Sequence, residues 1–102
     1  MELVWLRRAL EDRDAHLDYI AEENPEAAVS QGDEIDRQID LLPSQPDMGR
    51  AGRKKGTREL VINRTPFILV YRVKRRAKRI ELLRLLHGAQ QWPKARSRKA
   101  KP

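Results

Sequence analysis

The 102-residue chain carries 22 Lys and Arg against 15 Asp and Glu, a net charge of +7, with 39% hydrophobic residues and no cysteine. That length supports one domain with a modest core, and the absence of thiols excludes disulfides and thiolate chemistry, which fits a reducing, cytoplasmic setting. Acid and base interrupt Met1 to Arg8, where a signal peptide needs an apolar stretch, and no run approaches the ~20 apolar residues of a membrane span.

Charge is segregated along the chain. Residues 1–48 hold 4 basic against 13 acidic side chains, whereas residues 49–102 hold 18 basic against 2 acidic, Glu59 and Glu81. Mixed charges on an ordinary solvated surface are interspersed. This split points instead to a C-terminal half that meets a polyanion: nucleic acid, the ribosome or an acidic protein segment.

Leu3-Val4-Trp5-Leu6 reads as an opening strand. Leu6, Leu10, Leu17, Ile20 and Ala21 then recur at helical spacing over residues 7–23, with Asp12, Asp14, Asp18, Glu22 and Glu23 placed outside and His16 on the same acidic surface. Asn24-Pro25-Glu26 supplies a cap, a first-turn proline and a first-turn acid for a second helix. Its stripe is Ala28, Gly32, Ile35, Ile39 and Leu42, closed by Pro43, and the short junction predicts an antiparallel helical hairpin. Gly32 on that stripe is expected to let a neighbour approach closely.

Residues 43–56 form a loop with Gly49, Gly52, Gly56 and four bases, Arg50, Arg53, Lys54 and Lys55. Three strands follow at Thr57–Asn63, Phe67–Lys74 and Arg79–His87, joined by turns at residues 63–66 and 75–78 as an antiparallel meander. Leu82 with Leu86 and Leu83 with Leu85 occupy both parities of the last strand, predicting a central strand buried on both faces. The domain is expected to span residues 1–93, leaving a basic, disordered tail at 94–102. The element order predicts an α+β fold: an N-terminal strand, and a helical hairpin packed on one face of a mainly antiparallel sheet.

Three residue-level readings concern chemistry. Arg72 and Arg84 interrupt apolar strands, where an unpaired buried charge is costly. Either they pair with Glu59 and Glu81, or they open onto a concave face that accepts an anion, and the shortage of acids favours the second. The glycine loop matches neither dinucleotide nor P-loop spacing, so its bases are read as contacts to a phosphate backbone or an acidic partner. No cluster has metal-ligand spacing; no metal or other cofactor is expected.

The stretches ALEDRDAHLDYIAEENPEAA, Gly49 to Ile62 (GRAGRKKGTRELVI), ILVYRV and LLRLLHGAQQWP, in this order, resemble the RelE/ParE superfamily of toxins from bacterial type II toxin–antitoxin modules. The resemblance covers residues 3–93. It implies a growth-arresting toxin bound by a cognate antitoxin in a higher-order complex. RelE-like relatives cleave mRNA on the ribosome, commonly with an arginine just before the "LVY" of the middle strand and often with a C-terminal His or Tyr. Here that position is Ile68, and after Gly88 the only aromatic is Trp92. ParE-like relatives poison DNA gyrase and lack that set, so gyrase is the favoured target and ribosome-bound mRNA the alternative.

A metal-independent ribonuclease needs a base, a cation at the transition-state phosphate and an acid. If the chain is such an enzyme, the candidates are His87, Arg84, Arg72 and Arg58; His87 is the one ring near them suited to neutral pH. The plainer reading of His87, satisfying backbone groups at a strand end, is preferred. For binding to target or antitoxin, the candidates are Arg50, Arg53, Lys54, Lys55, Arg72, Arg84 and Trp92. A simple nucleic-acid-binding protein without toxicity is a third reading.

Overall fold

The computed structural model describes residues 1–88 and 90–93. The tail expected at 94–102 lies outside the described residues. Strand β1 (Glu2–Trp5) leads into helix α1 (Arg7–Glu23) and helix α2 (Pro25–Ile39), followed by β2 (Arg50–Ala51), β3 (Arg58–Val61), β4 (Phe67–Lys74) and β5 (Arg79–His87). The five strands form one sheet in the order β1-β5-β4-β3-β2. β1 runs parallel to β5, and every other pair is antiparallel. This is the expected α+β architecture, with β5 an interior strand between β1 and β4. The two-residue β2, inside the predicted loop, is an addition; so short an element has no periodicity to read.

The hairpin is antiparallel: Arg13 of α1 meets Asp36 of α2 at 3.0 Å, and Leu17 lies over Gly32. The Asn24 side chain accepts from Ala27 N at 3.1 Å, and Pro25 opens the helix as predicted. α2 stops at Ile39, short of Pro43, and residues 40–44 form a turn that still buries Leu42 completely.

Side chains alternate across a strand. Phe67, Leu69 and Tyr71 of β4, with Ile80, Leu82 and Leu85 of β5, join Ile35, Ile39 and Ala9 in the core beneath the helices. The expected parity of β5 needs correcting. Val70 is opposite Arg84 and Tyr71 opposite Leu82, so Leu83 is an extra, bulged residue. The bulge switches alternation midway along β5. Leu82 and Leu85 therefore share the helix-facing side, and Leu86 is buried separately.

The stripe on α1 also departs from expectation. Leu10 is 45% exposed, whereas Ala9 is fully buried and Asp12 and His16 turn toward the sheet. The cause lies in β5. Its pairing with β1 ends at Leu82, leaving backbone groups further along that edge without a strand partner. Asp12 Oδ2 accepts from Leu85 N at 2.9 Å, and His16 Nε2 donates to Leu85 O at 2.8 Å. His16 also stacks on Phe67 with ring centroids 4.7 Å apart. A buried amide left unpaired is costly, so the row facing the sheet edge is polar. His16 is thus a docking residue and not plain surface.

α2 does the same at the end of β3. The Gln38 side chain donates to Asn63 O at 3.0 Å and accepts from Asn63 N at 2.9 Å.

Candidate functional site

A surface concavity of about 420 Å³ opens between the glycine loop, strands β4 and β5 and the start of α1. Its lining brings together four separate parts of the chain: Arg8 from α1, Lys54 to Thr57 from the glycine loop, Arg72 and Lys74 from β4, and Leu83 and Arg84 from β5. Trp92, beyond the sheet, forms part of the wall. Alternation along β4 places Arg72 and Lys74 there because Tyr71 and Val73 face the core. The bulge brings Leu83 and Arg84 to the same cavity.

Of the residues predicted from sequence, Lys54, Lys55, Arg72, Arg84 and Trp92 meet here. The reading of Arg72 and Arg84 as unpaired cations is corrected, since both have carboxylates. Arg72 Nε donates to Glu81 Oε1 at 2.6 Å, and Glu81 also takes Arg79 at 2.8 Å. Arg72 beside Glu81, opposed by partial burial and aided by Arg79, holds that carboxyl below its ordinary range. Arg84 forms a two-pronged pair with Asp12, Nε to Oδ2 at 2.7 Å and Nη2 to Oδ1 at 3.1 Å, each side chain 16% exposed. The missed partner is an acid from the other end of the chain. Nothing in the local sequence of β5 points to it.

Arg50 and Arg53 do not line the concavity; both are held by Glu59, whose side chain is 1% exposed. Burial alone would push Glu59 up, but the Arg53 side chain and backbone N–H, with Arg50, outweigh it and hold the carboxyl low. These contacts fix the glycine loop so that Lys54 and Lys55 overhang the cavity. Gly56, in the left-handed region at φ +82°, turns the chain there, a conformation that suits glycine.

Arg58 is directed elsewhere. It donates to Gly49 O at 2.7 Å and approaches Asp47 at 3.4 Å, bracing the turn before β2. Tyr71 secures the same turn from the core: its hydroxyl donates to Pro46 O at 2.8 Å and accepts from Gly49 N at 3.0 Å. Burial pushes that hydroxyl above its ordinary range. A Cβ on Gly49 would lie 2.7 Å from the same hydroxyl, so only glycine fits. His87 stands outside the concavity, edge-on to Phe67 at 6.2 Å, with its backbone N–H on Gln90 Oε1 at 3.2 Å. The four nuclease candidates therefore do not converge: Arg72 and Arg84 share the cavity, while Arg58 and His87 lie apart from it.

Six bases line the concavity with no Asp, Glu or His. Among the described residues, Arg8, Lys54, Lys55 and Lys74 have no carboxylate partner. No group of three His, Cys, Asp or Glu could hold a metal, and no helix is long and apolar enough to cross a membrane, again among the described residues.

Known proteins share this architecture. The family model for the ParE toxin of the type II toxin–antitoxin system parDE matches residues 3–92. A Sinorhizobium fredii protein described as "Putative toxin Y4kP" is 40% identical over 89 residues, covering 87% of this chain and 90% of its own length. The solved structure "Chromosomal ParDE TA system from P. aeruginosa" is similar with a TM-score of 0.76 and 33% identity, over 85% of this chain and 95% of that one. The sheet order, the hairpin and a match over nearly every described residue agree: the chain belongs to the ParE toxin family of type II toxin–antitoxin systems.

Proposed function

We propose that this toxin arrests growth by binding DNA gyrase, without bond-breaking chemistry of its own, and that a cognate antitoxin neutralises it. The observation that supports this reading most is the make-up of the concavity, six bases and a tryptophan with no Asp, Glu or His to serve as a carboxylate or imidazole base. Cleavage of RNA at a 2′-hydroxyl needs such a base beside the cation that stabilises the phosphate. Ile68 stands where nuclease relatives place an arginine, and His87 is outside the cavity. An antitoxin segment suited to this toxin takes its apolar anchors from the helical hairpin, where Leu10, Tyr19 and Val29 are exposed, and carries acids that answer the toxin's basic surface.

The test is direct. Purified toxin should inhibit gyrase supercoiling, and its induction should arrest growth and trigger the DNA-damage response while mRNA in translating extracts stays intact. Co-expressing the antitoxin should restore growth. Ribosome-dependent mRNA cuts at fixed codon positions, lost in His87→Ala or Arg84→Ala with folding retained, would overturn the proposal in favour of a nuclease.

A further inference from the structure

The concavity continues into a basic track. Lys74 is shared with a neighbouring depression lined by Arg75, Arg76 and Arg79; Arg75 is held by Asp47 and Arg79 by Glu81, so the positive charge that extends the track beyond Lys74 is that of Arg76. Converging like charges repel one another and destabilise the fold that holds them. A single small anion would answer only a few of them; a chain of regularly spaced charges answers the whole track. Apolar lining of the concavity is confined to Leu83 and Trp92 among its larger side chains. A docked peptide normally relies on several buried apolar anchors, whereas a nucleic-acid strand relies on phosphate contacts and on flat rings that stack on its bases.

We propose that this concavity binds a segment of single-stranded DNA, with phosphates on Lys54, Lys55, Lys74 and Arg8 and one base stacked on Trp92. Arg72 and Arg84 are fixed by their carboxylates and form a rigid cationic floor. The loop lysines, with no such tether, adjust to the backbone above it. The inference rests on the gyrase reading only in adding to it a direct contact with nucleic acid beside the contact with the protein.

Binding of a fluorescent single-stranded DNA 12-mer to the purified toxin, followed by anisotropy across a salt series, tests this. Lys54→Ala/Lys55→Ala should raise Kd about tenfold or more and make the salt dependence shallower by about 1.4, the loss of two single-strand phosphate contacts. Trp92→Leu should raise Kd about 5- to 100-fold with the slope unchanged, and Trp92→Phe should recover part of the affinity. Arg98→Ala/Lys99→Ala, which removes two charges from the C-terminal residues, should weaken binding less than the loop pair. The thermal midpoint of each variant separates binding loss from unfolding.

The inference is overturned if the C-terminal pair weakens binding as much as the loop pair, or if Trp92→Leu is silent and duplex of the same sequence binds as tightly. It is likewise overturned if poly-glutamate competes as well as the oligonucleotide at equal charge. Gyrase assays on the same variants keep the two proposals apart. Supercoiling inhibition by a parent toxin that does not bind the oligonucleotide sinks the strand site alone; tight, Trp92-dependent DNA binding by a toxin that leaves gyrase untouched sinks the gyrase reading alone.

Discussion

The helical hairpin carries most of the chain's acid, and its best-placed carboxylates are turned onto the sheet or its turns: Asp12 holds Arg84 and the Leu85 amide, and Glu34 holds Arg37 and Arg64. On the open sheet face the balance is reversed. Glu59 and Glu81 each take two arginines, and the lysines around them are left over. All ten ion pairs of the described residues use arginine and none uses lysine. A planar guanidinium presents several donors in a fixed fork, whereas an ammonium is a flexible, strongly hydrated point charge. The comparison teaches a division of labour. Arginines joined to acids hold the molecule together, and the lysines are left without acids.

Breaking the hairpin's part in this should cost the most. Asp12→Ala strips Arg84 of both carboxylate oxygens and orphans the Leu85 N–H, so unfolding free energy should fall by about 3 kcal/mol. Urea denaturation measures this directly, and a loss under about 1 kcal/mol would mean that solvent takes over both roles. Tyr71→Phe should come next, at about 2 kcal/mol, because Pro46 O and Gly49 N lose their shared partner in the core. The same change should loosen the turn before β2, seen as faster amide exchange at Gly49. By contrast, Lys54→Ala should leave stability within about 0.5 kcal/mol of the parent while weakening partner binding. That contrast is what the arginine–lysine division demands.

Acid sharpens the comparison further. The Arg37 and Arg64 guanidiniums beside Glu34 bring its carboxyl down from 4.5 to about 2. Glu59 and Glu81 are also held below their ordinary value. A carboxyl with a depressed folded-state pKa contributes stability that is fully present above its unfolded value and is lost as pH falls through the folded one. Stability should therefore decline below about pH 4.5 and continue falling toward pH 2. In Glu34→Gln the decline over that window should be shallower. Equal slopes in thermal melts of parent and variant would show that this three-way contact contributes nothing to the acid limb.

Much of the fold was legible because its elements carry ordinary signals: the Asn24-Pro25 cap, the β-branched run of β4 and the glycine-rich loop all declare themselves locally. What remained hidden depends on distant partners. The sheet-facing row of α1 contains Asp12 and His16 because an uncovered edge of β5 needs a donor and an acceptor 69 to 73 residues away. Gln38 serves Asn63 in the same manner. Hydrophobic periodicity reads such rows as solvent-facing, since it scores side chains without asking which backbone groups lack partners. The candidate site divided similarly. Lys54, Lys55 and Trp92, named from the sequence, line the cavity, while the pairing of Arg84 was missed because its acid lies on the first helix. The bulge at Leu83 was equally silent, for a run of leucines looks the same in either parity.

A gain in stability, in place of a loss, separates two glycines that a sequence treats alike. Gly49 is locked by its surroundings. Gly32 sits on the hairpin, where an added Cβ would meet Leu17 Cδ1 at 3.4 Å and Arg13 Nη2 at 3.6 Å, ordinary contact distances. The close approach expected there is real, yet it leaves room for a methyl group. Glycine inside a helix costs about 1 kcal/mol relative to alanine through the freedom it loses on folding. Gly32→Ala should therefore stabilise the toxin, by up to about 1 kcal/mol, if Leu17 keeps its rotamer. Any push on Leu17 subtracts from that gain, and a push on Arg13 disturbs only its half-exposed pair with Asp36. Chemical denaturation of the single variant decides the matter: a net loss of stability would mean that α1 and α2 pack at their closest limit along this seam, and that the hairpin, like the turn at Gly49, has no slack.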